Sequence, residues 1–254
     1  MTETLVLSAL EFDVVWEAER LPSKHVALDV PSPGITHSER ALLVERAFDS
    51  LAARGLAKGG RAVPELADRL ALLAYPQVSV DVWVWTDREI AALAAGSGGQ
   101  AMLGAVDKGE VWLIPARATA LADAAVSMAG NGPAGPGRSI SLPTDVLEEA
   151  DARCRGDAQR LTTILSERDI PFSEAQALSA MVTGMAARGQ FGAERLHRDQ
   201  RRTRAPRVVS FHDTAEGRYL YLKRPANDGR MWSTITPADN ARITACVWEL
   251  LDEA

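Results

Sequence analysis

Val78-Ser79-Val80-Asp81-Val82-Trp83-Val84-Trp85 alternates valine with polar or aromatic residues along its whole length. Period two in β-branched and aromatic residues marks a strand, because successive strand side chains point to opposite faces. Glycine-rich turns follow, among them Gly96-Ser97-Gly98-Gly99, and then short strand candidates at 101–106 and 111–114. Strands joined by turns, with no crossover helix between them, make an antiparallel meander. The stretch therefore decides the fold class: α+β, with antiparallel sheet meanders and flanking helices.

Upstream, the spacing predicts a helix over 8–20 and a short strand over 25–30, closed by Pro31-Ser32-Pro33-Gly34. A second helix, capped by Thr36 or Ser38, runs to Arg54 and stops at Gly55. A third covers 64–74, with Pro64 in its first turn. Downstream, Pro115 is expected to start a helix over 116–128. Gly130-Asn131-Gly132-Pro133-Ala134-Gly135-Pro136-Gly137 then reads as a flexible connector. The expected division is a subdomain over 1–130, a connector over 131–138 and a subdomain over 139–254.

The second half opens with a strand over 139–142 and helices over 143–153, 158–168 and 173–188. The last is expected to be capped by Ser173 and to carry an apolar face of Ala177, Leu178, Met181, Val182 and Met185. A second meander follows at 208–212, 217–223 and 231–236, with a turn at Asn227-Asp228-Gly229. Pro237 opens a terminal helix whose stripe is Ile243, Cys246, Val247, Leu250 and Leu251. The halves repeat a pattern: helices, an Arg-Gly pair (Arg54-Gly55, Arg188-Gly189), a meander ending in a Trp-containing strand (Trp112, Trp232), a proline and one helix. That pattern predicts two quasi-symmetric, pseudo-repeated subdomains.

The chain has 254 residues, 46% hydrophobic and 24% charged, with a net charge of -6. Such a chain buries a sizeable core without staples, and its acidic balance argues against a whole-surface nucleic-acid binder. Cys154 and Cys246 are the only cysteines. Each lies in a helical pattern outside any CxxC or Cys/His cluster, so both are expected to be buried hydrophobes in a reducing cytoplasm. No secretory signal pattern opens the sequence. The least charged stretch, 90–106, is too short and glycine-broken to span a bilayer.

Chemistry-bearing motifs are few. His212-Asp213 could form a general base, but adjacent strand residues face opposite ways, so Asp213 cannot easily orient His212. Turn chemistry explains Asp213, Thr214 and Gly217 instead. His25, His37, His197 and His212 have no metal-ligand spacing, and no cofactor is expected. Arg195, Arg198, Arg201, Arg202, Arg204 and Arg207 crowd into one segment, read as a solvated loop because no aromatic residues interleave them.

Several segments in order resemble one family. Arg188-Gly189-Gln190-Phe191-Gly192, Phe211-His212-Asp213-Thr214 with Gly217-Arg218-Tyr219-Leu220, and Trp232 before Pro237-Ala238-Asp239 resemble the C-terminal half of EspG proteins. Glu11-Phe12-Asp13-Val14 before Trp16, Pro31-Ser32-Pro33-Gly34, and Leu51-Ala52-Ala53-Arg54-Gly55-Leu56 are similar to the N-terminal half. The resemblance implies a cytoplasmic, non-enzymatic chaperone of a type VII (ESX) secretion system. It implies a helical client, a PE–PPE-like heterodimer, with a WXG-type protein as the other candidate. It also implies two quasi-symmetric halves, and client contact through a loop between central strands and a C-terminal helical bundle. The matching loop is Ala95, Gly96, Ser97, Gly98, Gly99 and Gln100, and the bundle spans 143–188, with Leu178, Met181 and Met185 as contacts. Phe211, Tyr219 and Trp232 are expected in core and turn positions. No nucleic acid and no membrane insertion are expected, and the free chain would be a monomer or a homodimer. The competing reading is a winged-helix-like DNA-binding regulator, from the helices at 38–54 and 64–74 followed by a strand, with the arginine-rich segment as its phosphate contact. Glu65, Asp68 and Arg69, expected near the exposed face of the second helix, count against it because they make no basic recognition surface.

Overall fold

Ser8 ends one element and begins the next. The computed structural model, which describes residues 3–227 and 229–254, places β1 (Leu5–Ser8) directly before α1 (Ala9–Ala18). Ser8 Oγ accepts from the Glu11 amide at 3.1 Å, and Glu11 Oε2 accepts from the Ser8 amide at 2.7 Å. This reciprocal capping box fixes where strand gives way to helix.

The chain forms two compact units. The first comprises the residues up to Trp83, Glu89–Met128 and Glu194–Thr203. After β1 and α1 it runs through α2 (His37–Ala53), a small hairpin of β2 (Ala57–Lys58) and β3 (Arg61–Ala62), and α3 (Pro64–Ala74). The meander follows as β4 (Val78–Trp85), β5 (Glu89–Ser97), β6 (Gln100–Asp107) and β7 (Glu110–Arg117), and then α4 (Leu121–Ser127). Strand order is β1-β7-β6-β5-β4. Leu7, Phe12, Leu51, Leu70, Met102 and Leu113 lie in its core.

The second unit comprises Val84–Arg88, Ala129–Ala193 and Arg204–Ala254. It starts with β8 (Ile140–Pro143), α5 (Thr144–Cys154), α6 (Ala158–Glu167) and α7 (Phe172–Val182). Its strands are β9 (Ala187–Leu196), of which it holds the part up to Ala193, β11 (Val209–Thr214), β12 (Gly217–Pro225) and β13 (Met231–Pro237). The short β10 (Arg202–Arg204), which pairs with β9, falls in the first unit up to Thr203. Strand order is β9-β11-β12-β13-β8, and α8 (Asn240–Glu253) closes the chain. Leu142, Leu161, Leu165, Leu178, Met181 and Ile235 pack together between helices and sheet.

Each unit repeats one topology: an outer strand, three helices, a meander whose last strand takes the outer strand as neighbour, and a final helix. Trp112 in β7 and Trp232 in β13 hold matching places, as do α4 and α8. Arg54-Gly55 and Arg188-Gly189 do not match. Arg54 caps α2, with Gly55 at φ +70, whereas Arg188 and Gly189 lie inside β9.

Other elements depart from expectation for physical reasons. The predicted strand over 25–30 is a 3-10 turn, Val26–Leu28, capped by His25 Nδ1 accepting from the Ala27 amide at 3.1 Å. β5 carries no strand signature in the sequence: its Ala-rich run has low strand propensity, but burial of Ala92, Leu93, Ala94 and Ala95 overrides it. Pro115 does not start a helix. It pairs with Met102 inside β7, past Leu113, the last β7 residue paired with β1, so its missing N–H interrupts no ladder there. Pro237 likewise ends β13, and Asp239 caps α8. The helix expected over 173–188 stops at Val182, because Thr183 is extended and Gly184 has φ +71. Its N-cap is Pro171, and Ser173 caps nothing. Gly229 has φ +79, and Asp228 of the expected turn lies outside the described residues.

Candidate partner-binding site

The glycine-rich tip is tighter than a loop. Ser97 pairs with Gln100 across a two-residue hairpin turn, with Gly98 at φ +57 and Gly99 at φ +82. Positive φ at both central positions suits glycine and matches the strand twist. Gln77 Oε1 accepts from the Gly98 amide at 3.2 Å, pinning the turn. Ala95 and Gly96 are buried strand residues, so only Ser97 to Gln100 reach the surface.

The helices expected to bind a partner pack against the strands of the second unit. Leu178 and Met181 lie in the core beneath them, 0% and 2% exposed. Met185, past the end of α7, is 53% exposed. It stands at the edge of a cleft of about 410 Å³ in the second unit. Leu147, Leu161, Val182 and Ile235 make the apolar end. Register explains the polar end: Ser210 pairs with Gln190, and His212 with Arg188, so all four line one sheet face.

Arg188 and Trp85 form one lip. The guanidinium carbon lies 5.4 Å from the indole centroid, a cation–π contact. Among the described residues Arg188 has no carboxylate partner. The opposite lip carries Glu148, paired with Lys223 Nζ at 2.6 Å, and exposed Asp151. Sequence reasoning missed Trp85 and Arg188 as a site. The signal was there as alternation, since Arg188 and Gln190 point to one face of β9, and Gly189 and Phe191, both buried, to the other.

His212 and Asp213 do not work as a pair. The His212 ring is buried, stacks on Tyr219 at 5.4 Å, and has Nε2 2.9 Å from the Met181 carbonyl. A carbonyl only accepts, so Nε2 carries the proton. Burial pushes the imidazole below its ordinary value, against the Met181 carbonyl and the Asp213 charge. Asp213 turns to Arg218 instead of shaping the turn alone.

The glycine-rich connector is a fixed strap. Pro133 O accepts from the Arg218 amide at 2.8 Å, and Arg218 O from the Gly135 amide at 3.0 Å. Tyr219 Oη donates to Pro136 O at 3.2 Å. Phe211 and Tyr219 are buried as expected, but Trp232 is 36% exposed because Ser233 and Ile235 take the inward positions of β13.

The arginine segment is largely structured. It spans the end of β9 and β10, with Arg202 3.7 Å from Glu194 and Arg207 2.6 Å from Glu253. α3 presents no recognition surface: Leu66, Leu70 and Leu73 are buried, and Arg69, expected near the exposed face, is 0% exposed. It bonds Glu3 O at 2.6 Å and Glu65 Oε1 at 2.7 Å. What α3 does expose includes Glu65 and Asp68, both acidic, so nothing in it supports the winged-helix reading. Among the described residues no helix is long and apolar enough to cross a membrane, and no His/Cys/Asp/Glu group could hold a metal ion.

Comparisons with known proteins follow the same outline. The EspG family model matches residues 8–249. Among solved structures the chain is similar to EspG5, the type VII secretion system chaperone of Mycobacterium tuberculosis, seen in complex with a PE25-PPE41 dimer. Identity is 13%, the match covers 99% of this chain and 96% of that one, and the TM-score is 0.78. A likeness at that identity shows the fold. No curated protein sequence matches the chain.

Proposed function

The chain belongs to the EspG family, and on that premise we propose that it is a type VII secretion chaperone that binds a PE–PPE-like helical client and keeps it soluble for export. The observation that carries this reading is the family match over nearly the whole chain, residues 8–249. The shared fold with a chaperone solved with a PE25-PPE41 dimer supports it. The chain acts by binding, in the cytoplasm, and catalyses nothing. His212 and Asp213 are each committed to structural partners, which favours that reading.

The contacts are proposed at two places. The exposed tip from Ser97 to Gln100 offers backbone groups but no large anchor, so the helical bundle and the cleft beside Met185 carry most of the binding. An apolar groove beside helices suits a helical client that presents its own apolar face.

The test is affinity purification of the tagged chain from its native host, with mass spectrometry of the eluate. A stoichiometric PE, PPE or WXG-type protein is the expected result. Recovery of the chain alone, or with nucleic acid, overturns the reading.

A further inference from the structure

Arg188 stands out as an exposed cation held in place without an anion. Its guanidinium lies over Trp85 at 5.4 Å, and among the described residues no carboxylate meets it. A guanidinium held over an aromatic face by its charge spends none of its N–H donors on that contact, and those donors are what grips a carboxylate with two bonds. Next to it, Gln190 and Ser210 line the cleft and make no side-chain hydrogen bond within the described chain. One end of the cleft thus offers donors around a positive charge.

Away from Arg188 the cleft is largely apolar, with Glu148, paired to Lys223, and exposed Asp151 at its opposite lip. Leu147, Leu161 and Val182 line the apolar part, and Met185 stands exposed at its edge. Methionine is unbranched and adapts to the side chain it meets. An occupant that satisfies both ends carries an apolar body and a carboxylate a few ångströms away. A basic head would meet Arg188 as a like charge and is excluded from that end.

We infer that this cleft reads the client: it takes an aliphatic or aromatic side chain from the client's helical tip, together with an Asp or Glu about one helical turn away, which pairs with Arg188. Residues three or four apart share a helix face, so one helix presents both groups to the cleft at once. The inference rests on the chaperone reading and adds the chemistry that selects among clients. The apolar side chain supplies burial, and the Arg188 pair, desolvated at the lip, supplies register and specificity.

The test uses the full chain and a PE–PPE heterodimer from the same genome, with affinity measured by calorimetry. Arg188→Glu and Met185→Lys alter exposed side chains, so thermal midpoints close to that of the parent are expected and are checked first. Each variant is expected to weaken binding about tenfold or more, and Arg188→Lys by less, because it keeps the charge but loses the fork. Reversing one client carboxylate to Lys should weaken binding to the parent and restore it to Arg188→Glu. If the parent binds and both variants stay within about twofold of it, the cleft assignment is overturned while the chaperone reading stands. If the parent binds no PE–PPE pair, the chaperone reading falls and takes this assignment with it.

Discussion

Arg218 and Asp213, cross-strand partners on β12 and β11, meet through two parallel hydrogen bonds, Nε to Oδ1 at 2.7 Å and Nη2 to Oδ2 at 2.8 Å. The guanidinium also donates to the Ala129 carbonyl at 2.6 Å, the Gly130 carbonyl at 3.1 Å and the Asn240 side chain. Its carbon lies 4.7 Å over the Phe211 ring. One buried side chain therefore ties the start of the strap, the β11–β12 hairpin and the first turn of α8. A turn motif in the sequence, Asp213-Thr214 before Gly217-Arg218, is in structural terms the anchor of the second unit.

Asp213→Ala leaves the Arg218 charge buried without its carboxylate. Breaking such a pair from one side costs about 3–5 kcal/mol, because the remaining ion keeps its desolvation penalty. Urea unfolding followed by circular dichroism should show the midpoint fall accordingly. A loss under about 1 kcal/mol, the value of a surface pair, would mean that water reaches Arg218.

Gly135 allows the strap to touch the sheet. A Cβ built there would lie 2.2 Å from Tyr219 Cζ and 2.4 Å from its hydroxyl oxygen, so Gly135→Ala must push the strap or the ring aside. Overpacking of this kind costs about 1–3 kcal/mol. Hydrogen exchange at the Gly135 and Arg218 amides, which close the strap-to-strand bridge, should speed up more than exchange in α8. Gly99→Ala has no clash to relieve, so its penalty comes only from φ +82.

How much of this was legible depends on which force placed each residue. Val80, Val82 and Val84 announce β4 because one face of the strand is apolar, and α8 shows its stripe from Ile243 to Leu251 for the same reason. β5 and β9 were hidden. Ala91-Ala92-Leu93-Ala94-Ala95 has no strand propensity of its own, and Arg188-Gly189 ends a plausible helical period. Only neighbours in space make them strands. The strap is hidden for a related reason. Glycine signals freedom in isolation, but Gly132 and Gly135 are small so that Arg218 and Tyr219 can come close. The cleft follows from the hidden β9. Without that strand, Arg188, Gln190 and Trp85 share no surface.

His212 makes stability depend on pH. Burial lowers its pKa in the folded state from the ordinary 6.5, so the contribution from keeping it neutral is fully present above about pH 6.5. As pH falls from there towards the folded value, the unfolded chain takes up a proton that the folded chain refuses, and stability is lost. The slope is at most about 1.4 kcal/mol per pH unit. His212→Gln keeps a donor for the Met181 carbonyl and cannot titrate. Unfolding midpoints of parent and variant should therefore diverge as pH falls below about 6.5, the parent falling faster. Parallel curves would place the pH sensitivity elsewhere.

Leu178, Met181 and Met185 share an apolar period in the sequence but separate in the fold, and their variants should separate too. Leu178→Ala and Met181→Ala each open a cavity under α7, costing about 2–5 kcal/mol. Met185→Ala changes an exposed side chain and should shift stability by no more than about 0.5 kcal/mol. Client affinity should follow the reverse order once folding is accounted for. Measured well below each variant's unfolding midpoint, Met185→Ala should weaken binding several-fold, while Met181→Ala, whose side chain never reaches the surface, should bind nearly as the parent does. If Met181→Ala loses affinity while folded, then α7 must shift when the client docks, exposing a side chain that is buried in the free chain.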